Sequence, residues 1–355
     1  MIASGPFTGT AAEGVRPPLL SISIPTYNMG KWLRELLDSI VEQISMLDKR
    51  WLPEMVEVVV CDNHSSDDTQ KIVASFSKKI PRLVYRRHIE NIGPDRNFLS
   101  AIQNGSGKFC WIMGSDDIVE QGGLDAMLTL LYENPDICGM SVNRNARSFD
   151  LKTVIPENAF PMFADNVLLH GPDQVFRTIS YYIGYISGQV VRRTIWNEVV
   201  QDRPVTDFCN GYVHVYVIAE MLKINPAWLV VTARLVGWRA DNDSFLAAGR
   251  YRRLAIDVLG FEQISAACFG RGSVTYRTIR DTIATKHLRI NVLSARARDE
   301  WDTATARQTR QLALSHYRRS LPFWIRTAPL LFAPDVIVRP LRNLKRRLRG
   351  TGKRP

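Results

Sequence analysis

Two adjacent carboxylates, Asp116 and Asp117, follow an apolar run of the chain that ends at Met113. Adjacent acids at the end of a buried strand cost free energy unless a positive charge compensates them. A divalent cation holding a diphosphate would supply that charge, since such cations prefer oxygen ligands. The pair therefore indicates a metal site for a phosphorylated ligand. The alternative is an acidic pair in the first turn of a helix, where the helix dipole favours negative charge.

A third acid, Asp62, ends another apolar run, and in many α/β folds an acid in this place accepts hydrogen bonds from a nucleotide. It could equally cap the helix that follows. The sequence has no G-x-G-x-x-G after its first strand and no G-x-x-x-x-G-K-[ST]. These absences argue against dinucleotide-dependent dehydrogenases and P-loop enzymes.

Elements that could position these acids alternate along the first 145 residues. Strand-like apolar runs lie at 19–25, 55–61, 82–88, 108–113 and 137–142. Segments with helical spacing lie at 31–47, 67–79, 95–103 and 124–132. The alternation predicts βαβ units and an α/β fold with a mostly parallel sheet. Ligands of such sheets bind beyond the carboxyl ends of the strands, where the polar clusters fall: 25–28, 62–63, 91–97 and 116–117.

The alternation weakens after residue 145. Residues 146–180 are predicted to be rich in loops, followed by a strand at 185–193, a helix at 211–223 and a strand at 227–238. From residue 245 onward the spacing predicts helices. We therefore expect a disordered leader at 1–18, an α/β domain at 19–245 whose halves are 19–145 and 146–245, and a helical basic region at 246–355.

The basic charge is concentrated at the C-terminal end. The formal net charge is +11, and the last 17 residues carry eight Lys or Arg and no acid, which leaves 11 − 8 = +3 for the rest. Leu341, Leu344 and Leu348 share one helical face among these basic residues, as in helices that lie in a membrane interface. We expect peripheral attachment to an anionic membrane on its cytoplasmic face. The alternative is core-packing helices with a solvated tail.

The cysteines and the apolar runs indicate the cellular compartment of the protein. The five cysteines form no CxxC pair, which argues against a zinc ribbon or a disulfide scaffold and favours a reducing compartment. The sequence shows no signal peptide and no uninterrupted apolar run of about 20 residues that would span a bilayer.

Four ordered segments make the chain resemble the family 2 glycosyltransferases: 23–28, 60–69, 91–97 and 114–117. The resemblance covers about residues 19–245 and is closest to the abequosyltransferase-like branch, which builds bacterial surface polysaccharides, including O-antigen. It implies a GT-A fold, which is Rossmann-like with helices flanking the sheet. It also implies inverting transfer of a sugar from a nucleotide-sugar donor to a lipid-linked or polysaccharide acceptor, assisted by Mg²⁺ or Mn²⁺.

The resemblance also implies a set of site residues. The nucleotide-sugar would be bound by Pro25, Thr26, Tyr27, Asn28, Asp62, Asn91, Arg96, Ser115, Asp116 and Arg239. The metal would be held by Asp116 and Asp117. Asp116 matches the last acid of the family's Asp-x-Asp motif, but Gly114 stands where the first acid belongs. This departure leaves the number of direct metal ligands open. For Arg239, the alternative to contact with phosphate is a surface ion pair.

The general base is less clear, because the segment 207–215 lacks the Glu-Asp pair that relatives carry there. His214 is the first candidate, since an imidazole has a pKa near neutrality. Asp207 is the second. The alternative is that His214 packs on a helix face or binds the metal.

Three other functions share parts of this pattern. A catalytically degenerate nucleotide-sugar binder remains open because the metal and base motifs both depart from the family's form. A nucleotidyltransferase would need a basic phosphate-binding loop near the first strand, where residues 25–28 offer none. A nucleic-acid-binding protein is suggested only by the basic tail. Because the positive charge lies outside the α/β region, nucleic acid is not an expected partner.

Overall fold

The computed structural model describes residues 17–155, 160–298 and 300–334. Contacts divide the chain into two compact units, one up to Asn242 and one from Asp243, and each is described by itself. The predicted leader, apart from Pro17 and Pro18, lies outside the described residues. So does the predicted helical face of Leu341, Leu344 and Leu348.

The first half of the first unit is a regular βαβ series. Its elements are β1 (Leu20–Thr26), α1 (Gly30–Ser45), β2 (Val56–Asp62), α2 (Thr69–Ser75), β3 (Leu83–Arg87), α3 (Pro94–Gln103) and β4 (Phe109–Ile112). The strands pair in the order β3-β2-β1-β4, and all three pairs are parallel. Their carboxyl ends therefore meet at one edge, as predicted.

The second half of this unit extends the same sheet. Its elements are β5 (Ile118–Val119), α4 (Gly123–Glu133), β6 (Gly139–Arg147), β7 (Val154–Ile155), β8 (Val167–His170), α5 (Gly171–Ile183), β9 (Gln189–Arg192), α6 (Arg193–Asp202), α7 (Val213–Ile224) and β10 (Ala227–Arg239). Strand β9 is antiparallel to both β4 and β6, whereas β6 and β10 are parallel. The sheet is thus parallel in its first half and mixed beyond β4.

Two predictions for residues 146–202 were wrong in detail. The stretch predicted as loops contains α5, whose Val175, Phe176, Ile179 and Ile183 are buried at helical spacing. The strand predicted over 185–193 is shorter, because residues 186–188 form a 3₁₀ turn and β9 begins only at Gln189. Helix α6, which follows at Arg193, was not predicted.

The core of the first unit explains why its strands read as continuous apolar runs. Every residue of β1 and of β2 is buried. Helix α1 covers one face of the sheet with Leu33, Leu36, Leu37 and Ile40 fully buried. Each such side chain contributes about 1.5–3 kcal/mol of stabilisation. Strands buried on both faces need helices on both sides, which is the α/β arrangement.

The second unit is helical, as predicted. Its helices are α8 (Arg250–Phe269), α9 (Val274–Thr282), α10 (Arg289–Ala297), α11 (Thr303–Tyr317), α12 (Leu321–Arg326) and α13 (Ala328–Phe332), and a π-helical turn over Ile283–Leu288 joins α9 to α10. Leu254, Phe261, Leu288 and Tyr317 belong to its buried interior. Among the described helices of both units, none combines the length and apolarity that a bilayer span requires.

Candidate active site

The loops after β1 and β2 are joined by side-chain hydrogen bonds. Asn28 has a φ of 51°, in the left-handed region that asparagine tolerates better than most residues. Its Oδ1 accepts from the Ser66 amide at 2.8 Å, and its own amide donates to Ser65 Oγ at 2.8 Å. Asp67 Oδ2 accepts from the Gly30 amide at 2.9 Å, at the start of α1. These bonds fix the two loops against each other.

Asparagines connect the loop after β3 to the loops after β1 and β2. We call these three loops together the loop wall. Asn63 Nδ2 donates to Asn91 Oδ1 at 2.8 Å, and Asn63 Oδ1 accepts from the Ile92 amide at 2.8 Å. Asn97 Nδ2 donates to the Cys61 carbonyl at 3.1 Å. Asn91 itself is exposed. The loops that were predicted to bind the nucleotide are therefore brought together at one edge of the sheet.

Asp62 lies at the centre of this wall with no exposed surface. Its Oδ1 accepts from the Ser65 amide at 2.8 Å, and its Oδ2 accepts from Tyr85 Oη at 2.6 Å. Burial and the hydrogen bond to Asp62 raise the pKa of Tyr85 well above its usual range. Arg87 Nε lies 3.6 Å from Asp62 Oδ2 and is partly exposed. Asp62 thus connects Tyr85 and Arg87 to the loop after β2, and the sequence patterns did not reveal these contacts.

The remaining residues predicted to border the nucleoside differ in exposure. Pro25 and Thr26 are buried at the end of β1, whereas Tyr27 exposes 45% of its surface. Thr26 Oγ1 is buried and has no hydrogen-bond partner among the described residues. Arg96 is exposed in the first turn of α3. The loop thus exposes the ring of Tyr27, whereas the hydroxyl of Thr26 before it is buried.

The two adjacent acids after β4 have different environments. Asp117 exposes only 3% of its surface, and its Oδ2 accepts from Tyr185 Oη at 2.6 Å and from Ser187 Oγ at 2.5 Å. Its Oδ1 accepts from the Arg239 amide at 3.1 Å. Burial and the neighbouring charge of Asp116 raise the pKa of Asp117 to about 7. Asp117 therefore holds the loop in place from the inside.

Asp116 is the acid of the pair that remains half-buried, while Ser115 before it is buried. Asp116 Oδ2 accepts from Asn242 Nδ2 at 2.8 Å, and its carbonyl accepts from Arg239 Nε at 2.9 Å. The loop is thus held by its backbone, and the Asp116 carboxylate can face a ligand. Asn242 was not predicted to contact the acidic pair.

Packing explains the glycine at the family's first acidic position. A Cβ on Gly114 would lie 3.1 Å from Ser187 Oγ and 3.2 Å from Asp116 Oδ1. Ser187 Oγ also accepts from the Gly114 amide at 2.9 Å. The hydroxyl of Ser187 therefore fills the direction in which a side chain at 114 would extend.

Arg239, predicted to contact a phosphate, lies in a buried network behind the acidic loop. Its side chain has no exposed surface, and its guanidinium lies 4.2 Å from the centre of the Trp32 ring. Besides the Asp116 carbonyl, it donates to the Phe149 carbonyl and forms an ion pair with Glu35. All three guanidinium nitrogens thus donate to partners within the protein, and through the Asp116 carbonyl Arg239 supports the acidic loop.

Asp95 connects the nucleotide-side wall to α7. Its Oδ2 accepts from the Gly211 amide at 2.8 Å, and its Oδ1 accepts from the Val213 amide at 3.0 Å. A carboxylate that accepts at a helix N-terminus satisfies amides that the helix leaves unpaired. Asp95 therefore fixes the segment that carries both predicted bases, although the sequence reasoning assigned it no role.

The two predicted bases lie in contrasting places. Asp207 is exposed in a 3₁₀ turn at Val205–Phe208. His214 exposes 1% of its surface and packs edge-on against Phe98. Neither of its ring nitrogens has a hydrogen-bond partner among the described residues, although the backbone of Ile183 and Gly184 lies near enough to oppose part of the burial effect. Burial lowers the pKa of His214 to about 4.

We expect His214→Phe to reduce the loss of stability in acid. The pKa of His214 is about 4 in the fold against an ordinary value of 6.5, so between these values the unfolded chain binds a proton that the folded chain does not. Stability is therefore fully present above pH 6.5 and is lost as the pH falls towards 4, by about 3 kcal/mol for this group. Urea unfolding across this range measures it. His170→Gln, at an exposed histidine, should keep the wild-type slope, and an unchanged slope in His214→Phe would contradict the assignment.

Comparison with known proteins identifies the family to which the chain belongs. The model described as "Glycosyl transferase family 2" matches residues 21–184. The chain is 30% identical over 264 residues to abequosyltransferase RfbV of Salmonella typhimurium, covering 70% of this chain and 74% of that protein. The chain belongs to glycosyltransferase family 2, in its abequosyltransferase-like branch, and it is a glycosyltransferase.

Solved structures show the same fold. Residues 1–349 of TarS from S. aureus, in complex with UDP-GlcNAc, align with a TM-score of 0.59 at 14% identity, covering 94% of this chain and 93% of that chain. The mannosyltransferase PcManGT from Pyrobaculum calidifontis, in complex with GDP-Man and Mn²⁺, aligns with a TM-score of 0.52 at 16% identity, covering 93% and 90%. At these identities the likeness concerns the fold alone, and the predicted GT-A fold is confirmed.

Proposed function

We propose that this glycosyltransferase moves a sugar from a nucleoside diphosphate donor to a hydroxyl of a lipid-linked or polysaccharide acceptor, with inversion at the anomeric carbon. The observation that carries the proposal is the half-buried Asp116 carboxylate, which follows β4. It lies at the same carboxyl edge of the sheet as the loops after β1, β2 and β3. The branch relative named as an abequosyltransferase and the neighbours solved with UDP-GlcNAc and GDP-Man support it.

A divalent cation fits Asp116 better than Asp117. Among the described residues no three His, Cys, Asp or Glu side chains stand together as a metal-binding group. Mg²⁺ is commonly held by one or two carboxylates and by substrate phosphates, and Asp116 beside Asn242 offers such a partial oxygen site. The three hydrogen bonds to Asp117 leave it to position Asp116. A neighbour solved with Mn²⁺ is consistent with either ion.

The residues of the site then have separate tasks. The cation, when bound, supplies positive charge for the diphosphate that departs. Asp116 would hold this cation, while Asp117 and Arg239 keep the loop from moving. Tyr27, Asp62 and Asn91 belong to the wall that receives the nucleoside. Asp207 takes the proton of the acceptor hydroxyl, because it reaches the surface where His214 does not.

Nucleotide-dependent stabilisation tests this proposal. Thermal unfolding is measured with UDP, CDP, GDP and dTDP, each with and without Mn²⁺. A nucleotide at about 100 times its dissociation constant should stabilise the protein by about 2.7 kcal/mol, and the one that does so names the donor's base. Asp116→Ala should lose the Mn²⁺-dependent part, and Asp136→Ala, an exposed acid before β6, should keep it. If folded protein responds to none of the four, donor binding at this site is refuted.

We also propose that the helical unit attaches to a membrane surface. Leu321 and Ile325 expose 69% and 66% of their surface, and Trp324 and Phe332 expose 44% and 43%. We call these residues the apolar patch. Exposed arginines flank it at 318, 319 and 326. Large exposed apolar side chains among basic residues favour an interfacial position on anionic lipid, and the basic residues 339–355 follow in the sequence.

Ile325→Asp is expected to weaken vesicle binding about tenfold or more, since burying one isoleucine contributes about 1.5–3 kcal/mol. Flotation of the full chain with phosphatidylglycerol vesicles measures this. Leu259→Asp is the matched control, because Leu259 exposes 47% of its surface on α8, outside the patch. Equal loss in both variants, or in neither, would rule out attachment through the patch.

A further inference from the structure

A cavity of about 500 Å³ lies in the helical unit, where the start of α11 meets the end of α13. Its wall is formed in part by three arginines, two aromatic residues and one acid: Arg296, Arg307, Arg310, Trp301, Phe332 and Asp302. The unit is basic overall, with 15 Lys or Arg against seven Asp or Glu in residues 243–334. The cavity therefore brings three positive charges together in a unit that is already positively charged.

Two of the three arginines of this cavity donate to backbone carbonyls. Arg296 exposes 6% of its surface, and its Nη2 donates to the Ala333 carbonyl at 2.8 Å. Arg310 Nε donates to the Leu331 carbonyl at 2.8 Å. Arg307 is exposed and forms no ion pair or hydrogen bond with the rest of the described chain. The three guanidinium groups thus border one space, two of them fixed by backbone contacts.

The acid of the cavity offsets only one of the three positive charges. Asp302 caps α11, where its Oδ1 accepts from the Thr305 amide at 2.7 Å and its Oδ2 accepts from Thr305 Oγ1 at 3.2 Å. Trp301 lines the cavity as well, and its Nε1 is buried with no acceptor among the described residues. Guanidinium groups bind phosphate oxygens in a forked geometry, and a bound anion would compensate the excess charge.

The aromatic wall links this cavity to the apolar patch. Phe332 lines the cavity and belongs to the patch, and its ring stacks on that of Trp324 with centroids 6.4 Å apart and an angle of 11° between the planes. Arg310 lies 5.6 Å from the centre of the same Phe332 ring. An anionic group in the cavity is therefore adjacent to a surface suited to acyl chains. A lipid has both an anionic phosphate and acyl chains, whereas a free phosphate has only the anionic group.

We infer that the cavity binds the phosphate headgroup of a membrane lipid, a phosphomonoester or diphosphate, while the apolar patch receives its chains. The inference rests on the proposed membrane attachment and adds a selective headgroup site to it. Non-selective attraction would depend on the surface charge of the vesicle alone. A cavity that chelates phosphate oxygens prefers headgroups whose phosphate is terminal and accessible.

The test compares vesicles of phosphatidylcholine with about one-fifth phosphatidic acid and vesicles in which phosphatidylglycerol supplies the same surface charge. The full chain should bind the phosphatidic acid vesicles more tightly, and Arg307→Gln should remove most of that preference, about fivefold to tenfold. Arg307→Gln with Arg310→Gln should remove all of it, and the single variant remains informative if the double variant does not fold. Arg277→Gln, which removes an exposed arginine from α9, should keep the preference.

The outcomes separate the two proposals. Equal binding of both vesicle types by wild type and variants would overturn the headgroup site and leave the membrane attachment standing. Binding to neither vesicle would overturn both. Inorganic pyrophosphate is added as a competitor in a further series. If it binds the vesicle-free chain more tightly than the lipid does, through Arg307, the cavity serves a soluble phosphate and the lipid assignment is wrong.

Discussion

Asp116→Ala is expected to lower kcat/KM for sugar transfer by about 10²–10³-fold, the effect of removing one preorganised charge contact to a developing anion. Asp116 is the half-buried acid of the pair, and its loop is fixed by Asp117 and Arg239. Stability should change by no more than about 1 kcal/mol, because the lost bond to Asn242 is offset by relief of the repulsion that raises the pKa of Asp117. Donor turnover and urea unfolding, measured on the same preparation, separate the two effects.

The control for this variant is Asp136→Ala, which removes an exposed acid from the opposite end of the sheet, before β6. It should keep wild-type turnover. Near-normal turnover in Asp116→Ala would show that the carboxylate does not serve the departing diphosphate. A large loss of stability in that variant would mean that Asp116 is structural, as Asp117 is.

Arg239→Met is expected to lower the free energy of unfolding by about 3 kcal/mol, because it removes three hydrogen bonds of a guanidinium that has no exposed surface, each contributing about 1 kcal/mol. The variant keeps an apolar stem of similar length but leaves the carbonyls of Asp116 and Phe149 and the carboxylate of Glu35 without their donor. For a unit of this size the loss corresponds to a fall in Tm of about 6–12 °C. Differential scanning calorimetry measures it.

Arg234→Met is the comparison for this change, because Arg234 lies on the same strand, β10, but is exposed. Its Tm should stay within about 2 °C of wild type, as for most surface substitutions. If Arg239→Met retains its stability but loses donor binding, the guanidinium reaches a phosphate after all and the supporting role is wrong.

The fold was predictable where burial dictates local pattern. Strands β1 and β2 are buried along their whole length, so each reads as an unbroken apolar run. The loops after β1, β2 and β3 converge because parallel strands bring their ends together. The antiparallel β9 was harder to foresee, since its neighbours β4 and β6 are chosen by tertiary packing and not by its own four residues.

The site was predictable in residue type but not in role. Asp116 and Asp117 are neighbours in sequence, yet one is half-buried and the other is enclosed by Tyr185 and Ser187, about 70 residues further on. No local pattern distinguishes them. His214 and Arg239 have the types expected for a base and for a phosphate contact, but both are buried. Residue type sets what a side chain can do, and packing sets what it can reach.

The tight fit around Gly114 limits which residues this chain can accept at that position. An acid at 114, as the family's usual motif has, would meet the Ser187 hydroxyl at a Cβ distance of 3.1 Å. Ser187 cannot simply be removed first, because it bonds to both the Gly114 amide and Asp117. Positions 114 and 187 are therefore coupled: a side chain at 114 requires the Ser187 hydroxyl to shift, and that shift changes its bonds to the Gly114 amide and to Asp117. Introducing the second acid of the motif into this chain would therefore need a compensating change at 187.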